Sequence, residues 1–205
     1  AGQKGGDGQA EPVPMLELWR LKNFMPLVAC ASLFAGCMWV PYIYLPAYQY
    51  DALGTPLREG ARNVASIGIS STVGRVVIGR VAMQVSSLRC LQVCCLLAGA
   101  ATILLALLPQ LPWLIWVFTV TFGLSAGSTI ALLAPLLVEL FGLRNLPNAF
   151  GFLCAVQAPG VLALPAVCGA VHDLFDSYVP VWMLGGGGMV VSSLFLLLIK
   201  RDGHS

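Results

Sequence analysis

The chain has 205 residues, of which 58% are hydrophobic and only 10% charged, whereas soluble domains carry about 25% charged residues. Its mean hydropathy is +0.85, and a formal net charge of +2 provides no basic field for nucleic acid. These values exclude a soluble domain and a nucleic-acid binder, and they point to an all-α polytopic membrane protein.

Residues 1–14 are Gly-rich and polar, with Pro12 and Pro14, and read as a flexible linker tail. Residues 15–23 alternate Leu16, Trp19 and Leu21 with Glu17, Arg20 and Lys22. That pattern predicts an amphipathic interfacial helix anchored by Trp19. A six-helix transmembrane bundle is expected over 24–201, with each span judged against the roughly 20 apolar residues one crossing needs. Residues 202–205 read as a terminal tail.

The first span is predicted at 24–48. Pro26 suits a first helical turn, and Pro41 and Pro46 are expected to bend or break its later part. Membrane helices tolerate such prolines beside a cavity. Trp39, Tyr42, Tyr44, Tyr48 and Tyr50 crowd this end. They suit an interfacial aromatic belt and equally the lining of a substrate path. A polar loop follows at 51–60.

The second span, 61–85, carries Arg75 close to its middle. A charge at that depth costs about 3 kcal/mol on insertion scales, so it normally faces a bundle interior or a water-filled path. The plainer alternative is that Arg75 braces a neighbouring helix. Ser71 precedes it by one turn and is expected on its face. Gly68 and Gly79 are expected to permit close helix approach.

The third span is predicted at 91–108, ending in the tight turn Pro109-Gln110-Leu111-Pro112. The fourth, 112–141, opens on Trp113 and Trp116. It then presents the small-residue face Gly123-Leu124-Ser125-Ala126-Gly127-Ser128 and is expected to kink at Pro135. The fifth, 148–171, contains Pro159, Gly160 and Pro165 and is expected to bend. A polar loop is predicted at 172–177, and a sixth span at 178–199 with Gly185–Gly188 inside it.

Lys4, Arg20, Lys22, Arg80, Arg89, Arg144, Lys200 and Arg201 fall on one side of this topology, and only Arg58 and Arg62 on the other. That asymmetry predicts cytoplasmic N- and C-termini. The seven cysteines, Cys30, Cys37, Cys90, Cys94, Cys95, Cys154 and Cys168, match no zinc spacing and read as small apolar packing residues. S-acylation is a further reading of Cys90, Cys94 and Cys95 at a membrane edge. No Ser/His/acid set, metal cluster or phosphate loop is visible, so neither an enzyme nor a cofactor is expected. His172 beside Asp173 reads as a solvated turn.

Three stretches resemble the C-terminal half of a monocarboxylate transporter of the major facilitator superfamily. Val40-Pro41-Tyr42-Ile43-Tyr44-Leu45 is similar to the family's seventh span. Ser66-Ile67-Gly68-Ile69-Ser70-Ser71-Thr72-Val73-Gly74-Arg75 is similar to the eighth. Gly123–Ser128, Ala134–Gly142 and Asn148-Ala149-Phe150-Gly151 resemble the tenth and eleventh. The resemblance implies half of a twelve-helix fold that works by alternating access, at the plasma membrane and as a symporter. It implies that Arg75 pairs with a substrate carboxylate, a task suited to a guanidinium with two parallel donors. Ser71, Tyr44, Trp39, Ser125 and Ser128 are the accompanying substrate-site candidates.

The chain also departs from the family pattern. Proton-coupled lactate carriers place an Asp where Ser71 stands, and aromatic-substrate members place one where Ala126 stands. Family glycines appear as Leu164 and Asp176, and Gln84 stands near a usual acid. The implied partners are a small organic anion, the lipid bilayer, an N-terminal transporter half or a second copy, and a glycoprotein chaperone. The other reading kept open is a non-transporting half-length membrane protein that assists or regulates a full-length carrier.

Overall fold

The computed structural model describes residues 23–108 and 111–199. The expected linker tail, nearly all of the interfacial helix, the Pro109-Gln110 turn and the terminal tail lie outside the described residues. The described residues form six helices and no strands: α1 (Phe24–Asp51), α2 (Leu57–Ala82), α3 (Ser87–Leu107), α4 (Pro112–Phe141), α5 (Leu146–Phe175) and α6 (Val179–Leu197). All six are long and apolar enough to cross a membrane.

Start and stop signals explain most of the boundaries. Pro sits in the first turn of α4, α5 and α6, where its missing N–H is one the helix could not have used. Gly142, at φ 80°, closes α4. That left-handed backbone is open to glycine at no steric cost.

Several expectations about boundaries change. The helix α2 begins at Leu57, not residue 61, and ends at Ala82, not residue 85. The next helix starts at Ser87, and α5 runs from Leu146 to Phe175. The expected loop at 172–177 is therefore helical as far as Phe175. Hydropathy marks only the stretch that sits in hydrocarbon. The helix continues beyond it because its own hydrogen bonds satisfy the backbone at the interface as well. Pro41, Pro46, Pro135, Pro159 and Pro165 all lie inside continuous helices, so Pro41 and Pro46 do not break α1.

The packing order is α2 on α4, α3 on α6 and α4, and α1 on α5 and α6. Small residues set it, because lipid tails provide no hydrophobic force between helices and close van der Waals packing must do the work. At the α2–α4 crossing, a Cβ on Gly74 would fall 2.8 Å from Leu124 Cα, and one on Gly123 would fall 2.7 Å from the Ile67 carbonyl oxygen. Gly127 lies directly over Ser71. At the α3–α6 crossing, a Cβ on Gly99 would fall 2.8 Å from the Gly186 carbonyl oxygen, and one on Gly186 would fall 2.9 Å from that of Gly99. Between α1 and α5, a Cβ on Gly36 would fall 2.7 Å from the Gly160 carbonyl oxygen. Gly68 and Gly79, expected to serve this purpose, have nothing within 4 Å; Gly74 takes their place.

An aromatic chain runs through the interior of α1, α4 and α6. Tyr178 contacts Tyr48 at 5.5 Å, Tyr48 contacts Trp182 at 5.5 Å, and Trp182 contacts Phe118 at 6.2 Å. Phe118 stacks on Phe122 at 5.2 Å, Phe122 meets Tyr42 at 6.0 Å, and Tyr42 meets Trp39 at 5.7 Å. Burial is uneven across the bundle. In their most apolar windows, 61% of α1 is enclosed but only 17% of α2 and 6% of α5. The helices α2 and α5 thus present open faces on either side of α1 and α4.

Candidate substrate site

The buried stripe of α2 is Gly60, Asn63, Ile67, Ser71 and Gly74, at the three- and four-residue spacing of one helix face. Ile67, Ser71 and Gly74 form the seam against α4, while Gly60 and Asn63 meet α1 at Pro46 and Gln49. Arg75 stands just beyond the seam and is exposed. Among the described residues Arg75 has no hydrogen bond or ion pair. Its guanidinium lies within electrostatic reach of the Tyr42 hydroxyl.

Tyr42 leads to Trp39, which is 42% exposed. Trp39 forms one wall of a cavity of about 240 Å³ between α1, α4 and α5. Phe34, Met38 and Thr129 also line it, with Cys154 and Gln157 from α5. Tyr42 thus packs on Trp39, at 5.7 Å between ring centroids, and stands within electrostatic reach of Arg75, while Trp39 borders the apolar recess. Ligand sites are mostly apolar with a few placed polar groups.

The other candidates sit elsewhere. Ser71 is only 6% exposed and packs under Gly127. Tyr44 turns toward α5 and donates its hydroxyl proton to the Pro165 carbonyl at 2.8 Å. Ser128 is fully buried and donates to the Leu124 carbonyl of its own helix at 2.5 Å. Ser125 lies on the opposite flank of α4, in a groove shared with α2 and α3.

Several groups at this end of the bundle did not stand out in the sequence. Asn63 Nδ2 donates to Gln49 Oε1 at 3.1 Å, and both side chains are buried, with Gln49 Nε2 and Asn63 Oδ1 lacking a further partner among the described residues. The available signal was an amide within each apolar span, which is unusual in hydrocarbon. The Tyr178 hydroxyl donates to Asp51 Oδ2 at 2.6 Å, tying the end of α1 to the start of α6. Burial, followed by the Asp51 carboxylate, pushes the Tyr178 hydroxyl up to about 12. The His172 ring packs on Tyr178 at 4.4 Å, and its Nδ1 lies 3.6 Å from Asp173. Gln157 and Thr129, in the cavity wall, carried no signal at all.

Six helices long and apolar enough to cross a membrane define an integral membrane protein. The sequence model of the Major Facilitator Superfamily matches residues 2–163. The chain belongs to that superfamily, and within it to the monocarboxylate transporters. Monocarboxylate transporter 10 of Danio rerio is 30% identical over 170 residues, covering 76% of this chain and 32% of the relative. Monocarboxylate transporter 12 of Homo sapiens is 29% identical over 193 residues, covering 88% and 36%. Monocarboxylate transporter 3 of Rattus norvegicus is 29% identical over 181 residues, covering 85% and 36%. The chain spans about a third of the length of these curated relatives.

Proposed function

We propose that this chain is the C-terminal six-helix half of a secondary transporter that moves monocarboxylates or related organic anions by alternating access, with Arg75 pairing with the substrate carboxylate. The observation that carries this reading is an exposed Arg75 in the second half of α2, without a hydrogen bond or ion pair among the described residues and within electrostatic reach of Tyr42, whose ring packs on Trp39 at the cavity wall. A charge at that depth is retained when it has something to bind, and a guanidinium offers a carboxylate two parallel donors. The substrate's apolar body would lie toward Trp39, with Tyr44, Ser71, Ser125 and Ser128 supporting the walls that hold the site in place.

In this reading an N-terminal half, or a second copy of the chain, closes over α1, α2, α4 and α5 and rocks against them about the bound anion. Both termini are cytoplasmic, the membrane is the plasma membrane, and a glycoprotein chaperone accompanies the carrier there. Ser71 has no proton to exchange at physiological pH, so symport with a proton requires an acid outside the Ser71–Arg75 pair. The open faces of α2 and α5 also favour a second reading, a non-transporting half that docks on a full-length carrier.

Uptake of labelled lactate and benzoate by cells expressing the whole protein tests the first reading. Arg75→Gln should lower flux by about a hundredfold, because truncating one side of a desolvated charge pair costs 2–5 kcal/mol. Surface expression should be unchanged, and Arg75→Lys should retain part of the flux. Undiminished flux in Arg75→Gln would sink the assignment. An absence of flux from the wild type in every combination of halves would favour the docking partner.

A further inference from the structure

The groove on the far flank of α4, bounded by α2 and α3, shares Ser125 with the walls of the proposed substrate site but includes none of Arg75, Tyr42 and Trp39. It measures about 390 Å³, within the range of about 300–1,000 Å³ found for small-molecule sites. Its walls are the apolar side chains of Ile78, Val81, Val93, Leu97 and Leu124, and Arg89 closes one end. Arg89 lies in the first turn of α3, at the membrane edge where α2 ends. It is exposed and has no hydrogen bond or ion pair among the described residues.

The backbone adds to the charge at that end. Ser86, the residue that opens α3, makes no capping hydrogen bond, and its hydroxyl is enclosed without a partner. The first-turn N–H groups of α3 thus have no side-chain cap from Ser86, and a helix start favours anions. One mouth carries a cation and a helix start, and the body of the groove is hydrocarbon. That is the charge and polarity pattern of a phospholipid with an anionic headgroup, and basic pockets between membrane helices bind such headgroups.

We propose that this groove is a binding site for an anionic phospholipid, with the headgroup on Arg89 and the start of α3, and one acyl chain along Val81, Val93 and Leu124. Arg75 does not line this groove.

Native mass spectrometry of the full chain, purified in detergent, tests the proposal. The probes are palmitoyl-oleoyl phosphatidylserine and the phosphatidylcholine with the same acyl chains. The wild type should retain the serine lipid about fivefold better, the value of one cation near the membrane surface. Arg89→Gln should abolish that preference, and Arg89→Lys should keep it. Arg80→Gln, a cation in the last turn of α2 that does not line the groove, should leave it unchanged. Val93→Trp, which fills the groove from an exposed position, should reduce adducts of both lipids. Equal retention of the two lipids by the wild type would overturn the proposal. So would a preference that survives Arg89→Gln, or an acyl chain found covalently attached to Cys90.

Discussion

Tyr44 shows how a single side chain is committed by its surroundings. Its hydroxyl donates to the Pro165 carbonyl and thereby joins α1 to α5. Tyr44→Phe should destabilise the bundle by about 0.6 kcal/mol, the mean for hydrogen bonds between membrane helices, as measured by reversible unfolding in mixed micelles. Tyr178 makes the corresponding tie between α1 and α6. Its hydroxyl is raised from an ordinary 10.0 to about 12, so the folded state holds this proton more tightly than the unfolded chain does. The tie is therefore complete below pH 10 and is lost as pH rises through 12. Thermal unfolding from pH 8 upward should show this decline in the wild type, and Tyr178→Phe should flatten it. Leu164 is a third case: it stands where the family pattern has a glycine, and its side chain occupies the space over Gly36.

At the level of elements, helix pairs meet where a side chain is missing. Gly127→Ala would put a methyl group into the backbone of α2 at Ser71. It should cost about 1–3 kcal/mol, the usual range for overpacking, and lower the melting temperature in detergent. Gly79→Ala has nothing within 4 Å to meet and should be neutral or slightly stabilising, since alanine is the better helix former by about 1 kcal/mol. If both substitutions had the same effect, the α2–α4 seam would not be where the close approach occurs. The Gly123–Gly127 pair was legible as a contact face because both helix periodicity and residue size are written in the chain. Which glycines of α2 would meet it was not legible. Gly68, Gly74 and Gly79 look alike in sequence, and only the rotation of α2 about its axis selects Gly74. The same rotation separates Ser71 from Arg75. Residues four apart are offset by about 40° around a helix, enough to bury the first at the edge of the seam and leave the second exposed.

At the level of the whole molecule, the open surface formed by α1, α2, α4 and α5 sets the expected behaviour. Cys154 is the one exposed cysteine among the described residues, Cys90 being half-buried and the others buried, and it lines the cavity beside Trp39. A bound monocarboxylate should slow its reaction with a hydrophilic maleimide by roughly tenfold at ten times Kd, the protection expected from simple occupancy. Labelling that no carboxylate slows would place the substrate outside this cavity. The sequence by itself determined that the protein is a six-helix membrane bundle, that it belongs with the monocarboxylate transporters, and that one arginine lies deep in an apolar span. Composition, span length and motif order are properties of the linear chain and need no third dimension. Only the tertiary structure decided which serines are consumed by packing, that Tyr44 turns to Pro165, and that Tyr42 packs on Trp39 at the edge of the cavity. Those outcomes depend on how each helix rotates and tilts to bring its small residues against its neighbours, and that is fixed by packing between helices remote in sequence.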